Sequence, residues 1–114
     1  MSNRFIGRFY FKKTANGNLI GEYSNCHPLT TRSYAEAATR TSSGSDWVGD
    51  YTTTWCEAPN NRCVSAKLEI RTKPDCVGIF VLRWNSGSGP NGKPLFSGEA
   101  MLCDDMLIGD YTNE

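Results

Sequence analysis

A five-residue pattern that recurs six times constrains the fold of this chain more than any other feature. Each copy has an apolar residue, any residue, glycine, any residue, and an aromatic or apolar residue. The copies occupy residues 5–9, 19–23, 47–51, 76–80, 96–100 and 107–111. Because alternate residues of a strand share one face, the pattern places glycine and aromatic residues on the same face. Glycine normally weakens a strand, but it suits the sharp coiling and crowded interior of a small closed barrel.

Alternation of apolar and polar residues extends the six copies into six strands and adds a seventh at 62–72, which has no copy of the pattern. They span residues 3–13, 18–26, 47–56, 62–72, 76–85, 94–103 and 106–112. Asn16-Gly17 between the first two strands is a strong hairpin signal. A chain of 114 residues builds one compact core. We therefore predict a single all-β domain over residues 1–114, folded as an antiparallel up-and-down (meander) barrel of about seven or eight strands.

The segment 27–46 does not fit this pattern, because it is polar and lacks alternation. Ser33 and Glu36 have the spacing of a helix capping box, and the alanines that follow Tyr34 favour helix. The expectation here is a short helical turn or an irregular connection, with one more edge strand as the alternative.

The face that carries the glycines is the predicted barrel interior. Its large members are Phe9, Phe11, Tyr23, Tyr51, Trp55, Phe80, Leu82, Trp84, Leu102 and Tyr111. The opposite face is charged at Arg8, Glu22, Asp50, Arg83, Glu99 and Asp110. It is apolar, however, at Val77, Ile79 and Val81, where a monomer would present polar side chains to water. These three residues predict an interface in a homo-oligomer, most simply a dimer.

Several stretches resemble the calycins, the small meander barrels that include the avidins and lipocalins. Residues 5–10 are similar to the opening Gly-x-Trp strand of avidin-type chains, and residues 17–23 to a later Gly-x-x-x-Gly-x-Tyr strand. Residues 77–84 resemble their apolar strand that ends in Trp, and residues 95–99 the strand after it. The resemblance implies a barrel that holds a small ligand at one end.

The resemblance does not extend to biotin. Phe11 stands where avidin-type chains place an Asn that contacts the ligand, and of their contact positions only Tyr23 matches. We therefore expect a small, largely apolar ligand that is held by aromatic side chains. The predicted contacts are Phe9, Tyr23, Tyr51, Trp55, Trp84 and Tyr111.

Composition limits the other partners. Lys and Arg together number 12, as do Asp and Glu, so the chain has no basic excess for nucleic acid or an anionic membrane. The N-terminal residues lack the features of a signal peptide, which predicts a cytoplasmic protein. The five cysteines include no CxxC pair and are expected to be mostly reduced thiols. Cys56 and Cys63 flank a turn-like stretch, and we interpret them as small buried residues, with a cross-strand disulfide as the alternative.

No motif specifies a reaction, a metal or a cofactor. His27 is the single histidine, and as a neighbour of Cys26 on a strand it would point to the opposite face. The alternative to a binding module is an enzyme whose Glu22, Asp50, Glu99 and Asp110 line a polar lumen together with Arg8. That arrangement requires the two faces to be inverted relative to the aromatic core.

Overall fold

The computed structural model describes residues 6–26, 32–44, 46–57, 62–86 and 92–114. The strands are β1 (Ile6–Lys13), β2 (Leu19–Asn25), β3 (Tyr34–Arg40), β4 (Gly49–Glu57), β5 (Arg62–Thr72), β6 (Ile79–Ser86), β7 (Pro94–Cys103) and β8 (Met106–Asn113). Each strand pairs antiparallel with the next, and β8 pairs with β1 to close the barrel. The all-β meander barrel predicted from the sequence is confirmed.

The prediction of a helical or irregular connection at 27–46 is wrong for its second half. Residues Tyr34–Arg40 form β3, which pairs with β2 on one side and β4 on the other. It is therefore an internal strand of a closed barrel and has no free edge. The capping box does not form, because the side chain of Glu36 is buried inside the barrel instead. Barrel closure and burial of alternate residues outweigh the weak helix propensity of three alanines. Residues 27–31 lie outside the described part.

The turns at one end of the barrel are short. Gly17 has a φ of 81°, which confirms the Asn16-Gly17 hairpin between β1 and β2. The fifth predicted strand begins later than expected, at Ile79, because residues 73–78 form the β5–β6 turn. Gly78 has a φ of 84° there, so this copy of the pattern supplies a turn glycine.

Four of the repeated glycines allow close packing between strands. They are Gly7, Gly21, Gly98 and Gly109. A Cβ on Gly7 would overlap the ring of Tyr111, and a Cβ on Gly21 would overlap the Tyr10 carbonyl. Gly49 instead leaves room for the guanidinium of Arg40. Gly7 thus makes room for an aromatic ring, whereas Gly21, Gly98 and Gly109 let a backbone carbonyl of the neighbouring strand approach closely.

The core confirms the predicted interior face over most of its length. Its buried members are Phe9, Phe11, Leu19, Ala38, Tyr51, Trp55, Ala66, Leu68, Ile70, Leu82, Trp84, Ala100, Leu107 and Tyr111. Leu102 is the exception, since 45% of its surface is exposed. It lies on the core face of β7 but next to the Asp104–Asp105 turn, beyond the reach of the rings that cover the interior.

The turn-rich end of the barrel, called the Arg40 end below, is closed by one arginine. The side chain of Arg40 is 6% exposed. Its guanidinium donates to the carbonyls of Ser42, Ser43, Asp46 and Val48 and to the Tyr51 hydroxyl, at 2.6–3.1 Å. These bonds hold the β3–β4 connection across the interior. The opposite end, called the Tyr23 end, is where β2, β4 and β6 finish.

Candidate ligand-binding site

The structure brings three of the six predicted ligand contacts together at the Tyr23 end. These are Tyr23 on β2, Trp55 on β4 and Tyr111 on β8. Phe9 and Trp84 lie deeper and are each 4% exposed, so they form the floor of this region. Tyr51 lies apart from the other five, at the Arg40 end, where its hydroxyl donates to the Trp47 carbonyl at 2.9 Å.

Ring contacts connect the floor to the barrel end. Trp84 packs against Phe9 at 5.4 Å and against Tyr111 at 6.0 Å between ring centres. Tyr111 in turn contacts Tyr23 at 6.5 Å. Edge-to-face geometry is common in this cluster, and such pairs contribute about 0.5–1.5 kcal/mol each beyond the burial of their area. The deep part of the interior is therefore packed, and the rings that remain partly exposed lie at the Tyr23 end.

Two further aromatic residues of the cluster were not among the predicted contacts. Tyr34 on β3 lies 5.9 Å from Tyr23, and Phe96 on β7 lies 5.6 Å from Tyr111 and 5.9 Å from Trp55. Both are half-buried. Phe96 is the first residue of one copy of the glycine pattern. Its position two residues before Gly98 therefore indicated that it faces the interior. Tyr34 was missed because β3 was not predicted as a strand.

Glu36 is the functional candidate that the sequence analysis missed most completely. It is 6% exposed, and its Oε2 accepts hydrogen bonds from Thr53 Oγ1 at 2.6 Å and Trp84 Nε1 at 2.9 Å. Burial raises its pKa to about 7, although both hydrogen bonds act in the opposite direction. The available signal was the alternation of Tyr34, Glu36 and Ala38, which the capping-box interpretation hid.

The other oxygen of this carboxyl group, Oε1, has no hydrogen-bond partner among the described residues. No buried side-chain oxygen among the described residues lacks a hydrogen-bond partner, so Oε1 is not sealed in the core and remains accessible to solvent. Glu36 therefore combines one anchored oxygen with one oxygen that is available to a donor from outside the described chain.

Polar groups surround the aromatic cluster at the Tyr23 end. The Tyr23 hydroxyl donates to the Cys56 carbonyl at 3.0 Å, and the Tyr111 hydroxyl accepts from Asn25 Nδ2 at 3.0 Å. Trp55 Nε1 donates to Glu57 Oε2 at 3.2 Å. Burial raises the pKa of Tyr111 to about 12 and raises that of Tyr23 further, and the carboxylates of Glu36 and Glu57 add to both effects. The two tyrosines are thus neutral at ordinary pH and lie in a negative field.

The two cysteines beside this region form a disulfide. Cys56 and Cys63 face each other across the β4–β5 hairpin, with a Cα–Cα distance of 3.9 Å. The interpretation of these residues as two buried thiols is wrong, and the cross-strand alternative is correct. The described free cysteines, at positions 26, 76 and 103, are exposed.

The four carboxylates of the enzyme alternative point away from the lumen. Glu22 accepts a hydrogen bond from Tyr10, Asp50 pairs with Arg71 at 2.8 Å, and Glu99 pairs with Lys73 at 2.9 Å. These three and Asp110 lie on the outer face, as the aromatic-face assignment requires. His27 lies outside the described residues. Within the described ranges, no three His, Cys, Asp or Glu residues are grouped closely enough to hold a metal ion.

The predicted interface residues lie at different places. Val77 is fully exposed in the β5–β6 turn, while Ile79 and Val81 are half-buried on the outer face of β6. Ile79 is directly opposite Met101 on β7, and Met101 is directly opposite Ile108 on β8. These three residues form an apolar row across three strands, called the outer row below. Next to it, Val81, Glu99 and Asp110 line part of a shallow groove of about 490 Å³.

Comparisons with protein families, with characterised proteins and with solved structures find no match to this chain. The closed eight-stranded meander is the architecture that the resemblance to calycins implies. No relative connects the chain to the avidins or to the lipocalins in particular. In the described part of the chain, no helix has the length and hydrophobicity needed to cross a bilayer.

Proposed function

We propose that this protein is a binding module that holds a small, largely apolar ligand at the Tyr23 end of its barrel. One observation carries the proposal. The floor rings Phe9 and Trp84 are each 4% exposed, yet at this end Tyr23, Tyr34 and Phe96 remain only half-buried. Ligand sites are typically lined by such rings together with a few polar groups that fix orientation, and Asn25 and Glu57 are of that kind.

The frame around this end supports the same proposal. The Cys56–Cys63 disulfide ties β4 to β5 next to Trp55, and the Tyr23 hydroxyl is bonded to the Cys56 carbonyl. The floor beneath is held by the contacts of Trp84 with Phe9 and Tyr111. A site with little freedom to rearrange loses less conformational entropy when it binds a ligand.

Binding of the neutral fluorescent probe N-phenyl-1-naphthylamine tests the proposal. We expect saturable binding at one site per chain, and an affinity about tenfold lower in Tyr34→Ala, because losing one stacking face removes about 1 kcal/mol or more. Ile20→Ala, a change at a 54% exposed residue on the outer face of β2, is the matched control and should bind like the wild type. Non-saturable binding, or equal affinities for the wild type and Tyr34→Ala, would contradict the proposal.

A second candidate function is self-association through the outer row. The observation that favours it is the continuity of Ile79, Met101 and Ile108 across three paired strands, with Met101 53% exposed. Burying such side chains contributes about 1.5–3 kcal/mol each before the costs of association. Arg83, Glu99 and Asp110 in the adjacent groove offer both signs of charge, as a two-fold interface between identical surfaces requires.

Size-exclusion chromatography with light scattering tests this second proposal. The wild type is expected to have the mass of a dimer, and Met101→Glu and Ile79→Glu the mass of a monomer, because each places a charge in the outer row. Ile20→Glu adds the same charge on the far side of β1 and should remain dimeric. A monomeric wild type, or a Met101→Glu variant that keeps the dimer mass, would rule out this interface.

A further inference from the structure

The position of Glu36 beneath the aromatic cluster indicates the charge of the ligand, in addition to the hydrophobic character already proposed for it. Glu36 follows Tyr34 by two residues on β3, so both side chains face the interior. Trp84 and Thr53 fix Oε2, while Oε1 has no partner among the described residues. The carboxyl group is therefore held in one orientation through Oε2, and Oε1 is left accessible from outside the packed core.

A second carboxylate acts on the same region. Glu57 on β4 is half-buried beside Trp55, and both Glu36 and Glu57 raise the pKa values of Tyr23 and Tyr111. Their fields thus overlap at the two hydroxyl groups of the predicted site. Two negative charges among aromatic faces form an environment that attracts a positive charge.

The described cations near this end do not neutralise it. Arg62 lies opposite Glu57 on β5 but is exposed, and among the described residues no ion pair joins the two. Arg32 is also exposed, and its guanidinium lies 5.0 Å from the centre of the Tyr34 ring. Neither arginine contacts the carboxyl group of Glu36. The Tyr23 end of the interior therefore has an excess of negative charge, since the buried cation Arg40 lies at the opposite end, and its Tyr34 ring already faces a cation.

We infer that the ligand of this barrel is an organic cation, an aromatic or aliphatic amine whose ammonium group donates to Glu36 Oε1 while its apolar part contacts Tyr23 and Tyr34. The inference rests on the proposed ligand site at the Tyr23 end and specifies the class of molecule that it binds. A protonated amine would replace water at the solvent-accessible Oε1 with a donor that also carries a compensating charge. A neutral ligand of the same shape would leave the Glu36 carboxylate buried without compensation.

Isothermal titration calorimetry at pH 8 with three probes of similar shape tests the inference. The probes are 1-naphthylmethylamine, 1-naphthalenemethanol and 1-naphthylacetate, which are cationic, neutral and anionic. The amine is expected to bind at least about tenfold more tightly than the alcohol, as a charge-assisted hydrogen bond provides, and the acetate should bind most weakly. Glu36→Gln should reduce amine affinity to within about threefold of the alcohol and leave alcohol affinity unchanged.

A control variant and a measurement of proton release add two independent checks on the role of Glu36. Glu22→Gln removes one negative charge from the outer face and should bind all three probes like the wild type. At pH 7, amine binding to the wild type should release protons, detected by titration in buffers of different ionisation enthalpy, and Glu36→Gln should release none.

If the alcohol binds as tightly as the amine, or if Glu36→Gln keeps the preference for the amine, the inference is wrong and the proposed ligand site stands. If no probe binds, both are wrong.

Discussion

Replacing Arg40 with alanine is expected to lower the free energy of unfolding by about 3–5 kcal/mol, because several partly buried acceptors lose a charged donor together. The guanidinium of Arg40 donates to four backbone carbonyls of the β3–β4 connection and to the hydroxyl of Tyr51. The carbonyls of Ser42 and Val48 and the Tyr51 hydroxyl are the partly buried acceptors, and each buried acceptor left unpaired costs about 1–3 kcal/mol. The cation–π contact with Tyr51, at 5.5 Å, is lost as well.

Urea unfolding followed by tryptophan fluorescence measures this effect. Arg71→Ala is the matched control, because Arg71 also pairs with Asp50 and with backbone carbonyls but its side chain is 49% exposed. Exposed ion pairs contribute about 0–1 kcal/mol, so this variant should remain close to the wild type. Arg40→Lys should lie between the two, since an ammonium group cannot reproduce the planar fork of donors. If Arg40→Ala unfolds like Arg71→Ala, Arg40 does not hold this end of the barrel closed.

Replacing Glu36 with glutamine is expected to stabilise the protein above pH 7 by up to about 3 kcal/mol. Burial raises the pKa of Glu36 to about 7 in the folded protein, against 4.5 for an unperturbed carboxyl group. The folded state therefore binds a proton between these values that the unfolded state does not, and wild-type stability falls as pH rises through this window. At 1.36 kcal/mol per pKa unit, the loss reaches about 3 kcal/mol at pH 7 and above.

The glutamine variant lacks this dependence because its side chain does not ionise, while its amide oxygen can still accept from Thr53 and Trp84. The tyrosine hydroxyls near Glu36 do not change charge between pH 5 and 8. Burial raises the pKa values of Tyr23 and Tyr111, so both side chains stay neutral in the folded protein.

Thermal unfolding of both proteins at pH 5, 6, 7 and 8 tests this expectation. The two melting temperatures should be similar at pH 5 and diverge by roughly 10 °C or more at pH 8, given about 4 °C or more per kcal/mol for a domain of this size. Glu22→Gln, which removes an exposed carboxylate, should follow the wild type throughout. Parallel curves for the wild type and Glu36→Gln would show that Glu36 does not titrate in this range.

The free energy of unfolding that is lost when Glu36 ionises at neutral pH is relevant to function. Natural proteins violate the rules of core packing mainly at sites where function requires it, and a buried carboxylate that forms no ion pair among the described residues is such a violation. Glutamine would satisfy Thr53 and Trp84 equally well without the cost at neutral pH. Binding of a cation would recover that cost, which is why the pH experiment and the ligand experiment address the same residue through independent measurements.

The sequence alone determined the fold class. Gly7, Gly21, Gly98 and Gly109 recur at a fixed distance from aromatic residues because crowding inside a narrow barrel is a local constraint, repeated in each strand. Alternation of period two likewise identifies seven of the eight strands, because each strand must bury one face independently of the others. The outward position of Glu22, Asp50, Glu99 and Asp110 followed from the same alternation.

Only the tertiary structure decided the identity of β3, the site and the disulfide. Residues Tyr34–Arg40 have helix-compatible local chemistry, and they become a strand because β2 and β4 offer hydrogen-bonding edges that barrel closure must fill. Glu36 enters the core as a consequence, and its partners Thr53 and Trp84 come from strands 17 and 48 residues away in sequence. Cys56 and Cys63 pair because the register of the β4–β5 hairpin places them opposite each other. Local sequence carries preferences for backbone and burial, whereas which side chains meet across the barrel depends on strand order and register, which are properties of the closed sheet.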